Sequence, residues 1–189
     1  MAVPSPSPTK AQLRKDFRTR REAHVRGLTA NQRHDEARLL AEVLRQLVTR
    51  ARCVGGYAAI GSEIDPTHAL GMASKAALPH FEQRSSVFTF RAGPPVDVGP
   101  HHIPQPDVDA PKVTPDLVLV PLLLADRQGG RLGQGAGHYD RVLPSLKNAG
   151  ALFIGVGWPF QLSDEPVPRE EHDVLLHGFA SPEGLEMFS

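Results

Sequence analysis

Cysteine is almost missing from this chain: Cys53 is the only one. That excludes an intramolecular disulfide and any cysteine-cluster metal site, and it fits a reducing compartment. A lone thiol after Arg52 can be reactive, but its place at the head of an apolar run favours a buried strand residue. Long apolar runs are missing too. The longest, Leu117 to Ala125, is interrupted by Pro121 and falls well short of the roughly 18 residues a membrane helix needs. A soluble, cytoplasmic protein with no membrane partner is expected. Net charge is absent as well: 21 basic and 21 acidic side chains leave +0, so no global field steers the chain toward nucleic acid or an anionic surface. Aromatic residues make up 6%. What remains, 189 residues of which 40% are hydrophobic, is enough for one core, and a single domain over 10–189 is expected.

The opening "MAVPSPSPT" alternates proline with small residues, without an apolar or cationic leader, and reads as a disordered tail over 1–9. Helical periodicity begins at Lys10, with Thr9 as N-cap and Leu13, Phe17, Arg20 or Arg21, His24 and Leu28 along one face. Thr29 and Gln32 form a capping box for a second helix carrying Leu39, Leu40, Val43, Leu44, Leu47 and Val48. The period then changes to strands: "CVGGYAAI" from Cys53 to Ile60, "ALPHF", "VFTFRA", "DLVLVPL", "ALFIGVGW", and the weaker "VLLHGFAS" and "LEMF". Pro66 starts a short helix. Between Gly93 and Thr114 about twenty proline-rich residues lack periodicity, which in a domain of this size predicts a working loop. Helices alternating with all-apolar strands predict a three-layer α/β sandwich with a mostly parallel, Rossmann-like sheet.

"GGRLGQGAGHYDR", Gly129 to Arg141, follows such a strand and precedes a helix. This is where open α/β sheets gather ligands. Gly133, Gly135 and Gly137 lack Cβ, so the backbone can turn left-handed and aim successive N–H groups at an anion, with the next helix adding its positive end. That end supplies only about 0.3 to 1 kcal/mol, so side-chain cations such as Arg131 are also required. The P-loop pattern is absent, since no glycine is followed by lysine, and the dinucleotide fingerprint from Gly133 fails at His138. A purely structural tight turn stays open at this point.

The flanking residues add to this. "RLGQGAGHYDR" resembles the signature of the 5-formyltetrahydrofolate cyclo-ligase family, or methenyltetrahydrofolate synthetases, which reads approximately R-L-G-x-G-x-G-Y-Y-D-R. "KAQLRKDFRTRR", "GYAAIGSEIDPTHAL", "IPQPD" and "IGVGWPFQLSDEPVPREEHDVLL" are similar to further segments of that family, so the likeness runs through nearly the whole chain. It implies a monomeric, CoA-transferase-like α/β enzyme. Such an enzyme converts 5-formyltetrahydrofolate to 5,10-methenyltetrahydrofolate with ATP and magnesium, releasing ADP and phosphate. Lys10 and Arg14 match the family's N-terminal ATP contacts. Arg131, Leu132, Gly133, Gln134, Gly135, Ala136, Gly137, His138 and Tyr139 match its nucleotide loop. Glu63 matches a folate-binding acid, with Gly135, Gly137, His138 and Tyr139 also reaching the folate. Asp140 and Asp173 match the magnesium positions, and the resemblance implies catalytic roles for Arg131, Tyr139 and Asp140.

The departures matter too. His138 replaces the first tyrosine of the usual pair, keeping a flat ring and adding a titratable nitrogen. Ala136 stands where some members carry lysine, Gln105 stands for a glutamate, and Pro144 should break or kink the helix after the loop. These leave open a binding or regulatory homologue without turnover. From Lys10 to Arg33 eight Lys or Arg face only Asp16 and Glu22, and six of the eight are expected on a solvated face. An RNA-binding reading of that segment has only Phe17 for stacking. The acidic stretch from Asp164 to Glu186 is expected to attract the basic opening. His101 and His102 are read as loop residues and Trp158 as the edge of the core.

Overall fold

The computed structural model describes residues 8–84, 87–100, 102–170 and 173–188. Residues 1–7 of the expected tail, and His101 of the histidine pair, lie outside the described residues. Thr9 caps the first helix, α1 (Lys10–Arg26): its hydroxyl accepts from Gln12 N while the Gln12 side chain accepts from Thr9 N. The same box recurs between Thr29 and Gln32 at the head of α2 (Ala30–Arg50). Each such cap contributes about 1 kcal/mol to a helix end that would otherwise leave donors unpaired. α2 buries Ala37, Leu40, Ala41, Leu44 and Val48, whereas Leu39 is 51% exposed. The contact stripe runs one position away from Leu39, and small alanines let α2 approach the sheet where Leu39 was expected.

After α2 come β1 (Val54–Gly55), α3 (Thr67–Leu70), β2 (Ala76–His80), β3 (Thr89–Ala92), β4 (Asp97–Val98) and β5 (Pro104–Gln105). They are followed by β6 (Leu117–Pro121), β7 (Leu124–Asp126), β8 (Arg131–Leu132), α4 (His138–Asn148), β9 (Leu152–Val156), β10 (Leu162–Ser163), β11 (Gly178–Ser181) and β12 (Gly184–Met187). Seven strands form the main sheet in the order β12-β11-β9-β6-β1-β2-β3. The five central strands pair in parallel, and β12 and β3 close the two edges antiparallel. β6 shows why the sheet has a layer on each side. Val118 and Val120 join the core that holds Leu143 and Leu146 of α4, while Leu117 and Leu119 join the core that holds Leu40 and Leu44 of α2. Each fully buried aliphatic of this kind contributes about 1.5–3 kcal/mol. The expected three-layer α/β arrangement with a mostly parallel sheet is the one observed.

Three local expectations need correction. The strand expected over Cys53–Ile60 is only Val54–Gly55. Beyond it the chain folds back on itself, with the Tyr57 hydroxyl donating to the Ile64 carbonyl at 2.7 Å, which leads into the turn that carries Glu63. α4 runs through Pro144 to Asn148 unbroken, because Val142, Leu143 and Leu146 are buried on both sides of the proline and tertiary packing overrides its propensity. Arg21, grouped with the solvated cations, is 4% exposed. The proline-rich segment is tied down rather than free. Gln105, 4% exposed, clamps the Phe81 backbone, accepting from its N–H and donating to its carbonyl. Cys53 is buried, its thiol pKa pushed up by burial, and Trp158 is fully in the core with its indole N–H donating to Ser62 O at 2.9 Å. Lys10 reaches Glu170 at 3.2 Å, one ion pair between the basic opening and the acidic end. Among the described residues no helix is long and apolar enough to cross a membrane.

Candidate active site

β1 lies between β2 and β6, so the chain leaves β1 in one direction and returns on its other side. That makes the carboxyl ends of β1 and β6 a topological switch point. A cavity of about 190 Å³ opens there, lined by Tyr57 and Ala58 just past β1, by Pro121 at the end of β6, and by the glycine segment. The segment leaves β8 and enters α4 through two left-handed residues, Gly135 (φ +106°) and Gly137 (φ +68°), the latter being the N-cap. Gly133 is not left-handed, and a Cβ on it would meet nothing within 4 Å. The turn therefore does not require a glycine there, and its bare α-carbon leaves open space beside the cavity.

α1 lies against this loop. Arg14 Nε donates to Gly133 O at 3.2 Å, and Arg18 Nη2 to Gln134 O and Oε1 at 3.4 and 3.3 Å. The opposite wall is apolar: Ile60, Pro79, Phe81, Phe88 and Ile103 line it. Phe81 stacks edge-on against His138 at 4.9 Å and Phe88 against Tyr139 at 5.2 Å, so the loop's two rings and the wall form one aromatic cluster. The Tyr139 hydroxyl is buried without a hydrogen-bond partner among the described residues, and burial raises its pKa well above the usual phenol value. A buried hydroxyl of this kind leaves a donor and an acceptor free at the cavity wall.

Glu63 forms the polar floor. It is 6% exposed; Ile60 N donates to Oε2 at 3.0 Å and Gln134 Nε2 to Oε1 at 3.3 Å. Burial pushes its pKa up, and the Ile60 N–H, Arg21 and Gln134 hold that rise back. At the other end of the loop, Arg131 donates to the Asp140 carboxylate and to Val174 O. Burial lowers the Arg131 pKa, while the charges of Asp140 and then Asp173 raise it. Two hard carboxylates around one guanidinium suit magnesium, which takes one or two protein oxygens and completes its shell with water and phosphate oxygens. Among the described residues no group of three or more His, Cys, Asp or Glu stands ready to hold a metal alone.

Of the residues singled out from sequence, Arg14, Glu63, Arg131, Gly133, Gln134, Gly135, Ala136, Gly137, His138, Tyr139 and Asp140 all line this cavity. Lys10, Leu132 and Asp173 do not: Lys10 is paired with Glu170, Leu132 is buried against Leu124 and Val167, and Asp173 accepts from Glu170 N at 2.8 Å. Sequence reasoning missed the aromatic wall and Tyr57. Phe81 and Phe88 stand at facing ends of two strands, and both tyrosines of the chain line the cavity; aromatics at strand ends were the available signal.

A sequence profile of the 5-formyltetrahydrofolate cyclo-ligase family matches residues 6–180. Over 67 residues the chain is 46% identical to the 5-formyltetrahydrofolate cyclo-ligase of Mycolicibacterium smegmatis, covering 35% of this chain and 34% of that protein. Over 84 residues it is 34% identical to the Escherichia coli K12 protein of the same name, covering 42% and 46%. These matches span less than half the length of those curated relatives. The NMR structure of Aquifex aeolicus 5,10-methenyltetrahydrofolate synthetase superposes with a TM-score of 0.77 at 26% identity, over 94% of this chain and 92% of that one. A Mycoplasma pneumoniae synthetase, at 20% identity and a TM-score of 0.69 over 93% and 99%, shares the fold.

Proposed function

The chain belongs to the 5-formyltetrahydrofolate cyclo-ligase family, and on that premise we propose that it converts 5-formyltetrahydrofolate to 5,10-methenyltetrahydrofolate. The reaction consumes ATP in the presence of magnesium, and the chain acts as a soluble cytoplasmic monomer. One observation carries this reading. The glycine loop, a buried carboxylate and an aromatic wall share a single cavity at the sheet's switch point, which is what a reaction joining a triphosphate to a flat, N–H-bearing ring requires.

A formamide oxygen is a poor leaving group. In the proposed reaction it attacks the γ-phosphorus of ATP and the bond to ADP breaks. Nitrogen 10 then adds to the activated formyl carbon, phosphate departs carrying the formyl oxygen, and the nitrogen's proton is lost. The protein's part is positioning and charge neutralisation. Glu63, ionised, accepts hydrogen bonds from the pterin N–H edge, and the ring lies against Phe81, Phe88 and His138, which exclude water. The loop from Gly133 to Gly137 follows the phosphates, with Arg14 and Arg131 adding the charge that a helix end cannot supply. Tyr139 gives its unpaired hydroxyl to one of the two ligands. Asp140 and Asp173 would hold magnesium, which when bound spreads the charge of the transferring phosphoryl group.

Purified protein mixed with 5-formyltetrahydrofolate, ATP and magnesium tests the reading through the near-ultraviolet absorbance of the methenyl product. A rise that needs both ATP and metal is the expected result. ATP or folate binding without any rise would point instead to a binding protein on the same scaffold.

A further inference from the structure

Arg21 is a buried charge that the proposed reaction does not use. It projects from α1 at a cleft that shares Glu63 and Gln134 with the cavity, and with 4% exposure it does not line the cavity itself. Instead it lies behind the turn that carries Glu63. Nε donates to Ser62 Oγ at 3.0 Å, Nη1 donates to Leu122 O at 3.3 Å, and Nη1 stands 3.8 Å from Glu63 Oε1. The turn is braced from the other side as well, since Trp158 Nε1 donates to Ser62 O and Gln161 Nε2 donates to the same Leu122 carbonyl. A guanidinium is expensive to bury. An apolar side chain would serve better if the position only joined α1 to the sheet.

We propose that Arg21 is a positioning residue for folate recognition: its charge keeps Glu63 ionised, and its fork holds the Ser62–Glu63 turn so that the carboxylate faces the cavity. The inference rests on the reading of Glu63 as the pterin acceptor. The physical need is clear. A buried carboxylate tends to take up a proton, and a protonated Glu63 would offer the pterin edge a donor where an acceptor is needed. Burial already pushes Glu63 up, with Arg21 among the groups opposing it. The other titratable groups around Glu63 are the phenols of Tyr57 and Tyr139, Arg14, Arg131, His138 and Asp140 in the cavity, Arg18, Glu22, Arg26 and Arg33 along the adjoining cleft, and His34, Asp65 and His68 behind the turn; among the charged ones, Arg21 is the one whose charge acts on Glu63. Both phenols are buried and raised in pKa, hence neutral. Arg33 is engaged with Gly61 O at 3.2 Å. Arg21 thus supplies the compensating charge from inside the protein.

The test follows the Glu63 side-chain carbonyl carbon by NMR through a pH titration of ligand-free protein labelled at glutamate, with Glu63→Gln assigning the signal. Arg21→Gln should raise the Glu63 midpoint by about one pH unit or more, the effect of losing an opposite charge at this range. Arg21→Lys should give an intermediate midpoint. Affinity for 5-formyltetrahydrofolate, measured without ATP, should fall as pH drops through the midpoint, and this acid limb should move up with Arg21→Gln. In a Glu63→Gln background, adding Arg21→Gln should change that affinity by less than about twofold, since coupled residues are not additive. An unmoved midpoint, or an equal loss of affinity in both backgrounds, overturns the proposal. Should Arg21→Gln not fold, Arg21→Met, which removes the charge and keeps an apolar side chain of similar length, carries the test, and a wild-type midpoint there overturns it too. The titration needs no folate, so failure of the wild type to bind folate would sink the functional reading separately.

Discussion

Arg131 and Asp140 form an ion pair whose two halves live in different surroundings: the guanidinium side chain is 6% exposed and the carboxylate 57%. The cation is fixed from within, by Val174 O as well as by Asp140, while the anion stays open to solvent, as the proposed magnesium role requires. Lysine at 131 would keep the charge but lose the two-pronged grip. Arg131→Lys should lower kcat by about a hundredfold or more, the range seen when one donor to a developing charge is removed. Steady-state kinetics at saturating ATP would check this, and a kcat within twofold of wild type would refute the role.

Asp140 and Asp173 predict a metal phenotype. Asp140→Asn and Asp173→Asn should each raise the magnesium concentration for half-maximal activity by about tenfold or more, a loss typical even of groups one step removed from a metal. A magnesium titration of initial rates decides it, and an unchanged half-saturation in either variant removes that residue from the metal site.

The unpaired hydroxyl of Tyr139 gives a prediction with opposite signs for stability and function. Tyr139→Phe deletes a buried polar atom that has no partner, so the ligand-free protein should gain about 1 kcal/mol. If the hydroxyl serves a ligand, kcat/KM should fall at the same time. Urea unfolding and kinetics on one preparation would test both halves.

Glu63 predicts a pH dependence. Its folded-state pKa is raised by burial, so its ionised form costs stability. That cost is present in full above the folded value, shrinks as pH falls through it, and is gone below the unfolded value of about 4.3. Glu63→Gln should therefore raise Tm at neutral pH, with the advantage fading toward pH 4, while folate affinity drops. A Tm difference that is flat across this range would contradict it.

The glycines can be separated by stability. Gly135→Ala forces a φ of +106° on an L-residue and should cost about 1–3 kcal/mol. Gly133→Ala enters open space without a left-handed φ, so Tm should hold while ATP affinity falls. Equal melting shifts for the two would show that Gly133 is a turn residue after all.

The capping residues Thr9 and Thr29, the parallel sheet and the position of the glycine loop were legible in the sequence because each depends on local chemistry or on period. The site's other half was less so. The period leaves Arg20 and Arg21 as alternatives for the packed face of α1 while the charge run points to solvent, and only the tertiary partners Ser62, Leu122 and Glu63 decide that Arg21 is the buried one. Phe81 and Phe88 read as strand residues, since nothing local says that two strand ends face a loop fifty residues later. Pro144 misled in the other direction: propensity marks a helix break, and the buried Val142, Leu143 and Leu146 outweigh it.

The contacts of α1 with the glycine loop also bear on the order in which the molecule assembles. Arg14 and Gly133 are 119 positions apart, and Lys10 and Glu170 are 160 apart. Closing so long a segment costs little more than closing one half as long, only about 0.6 kcal/mol per doubling, but contacts of such separation form late. The sheet and α2 can settle around their own neighbours first, and α1 then docks as the last wall. On the proposed function, a nascent chain would stay unable to hold nucleotide until the glycine segment had emerged, and amide exchange should be faster in α1 than in α2.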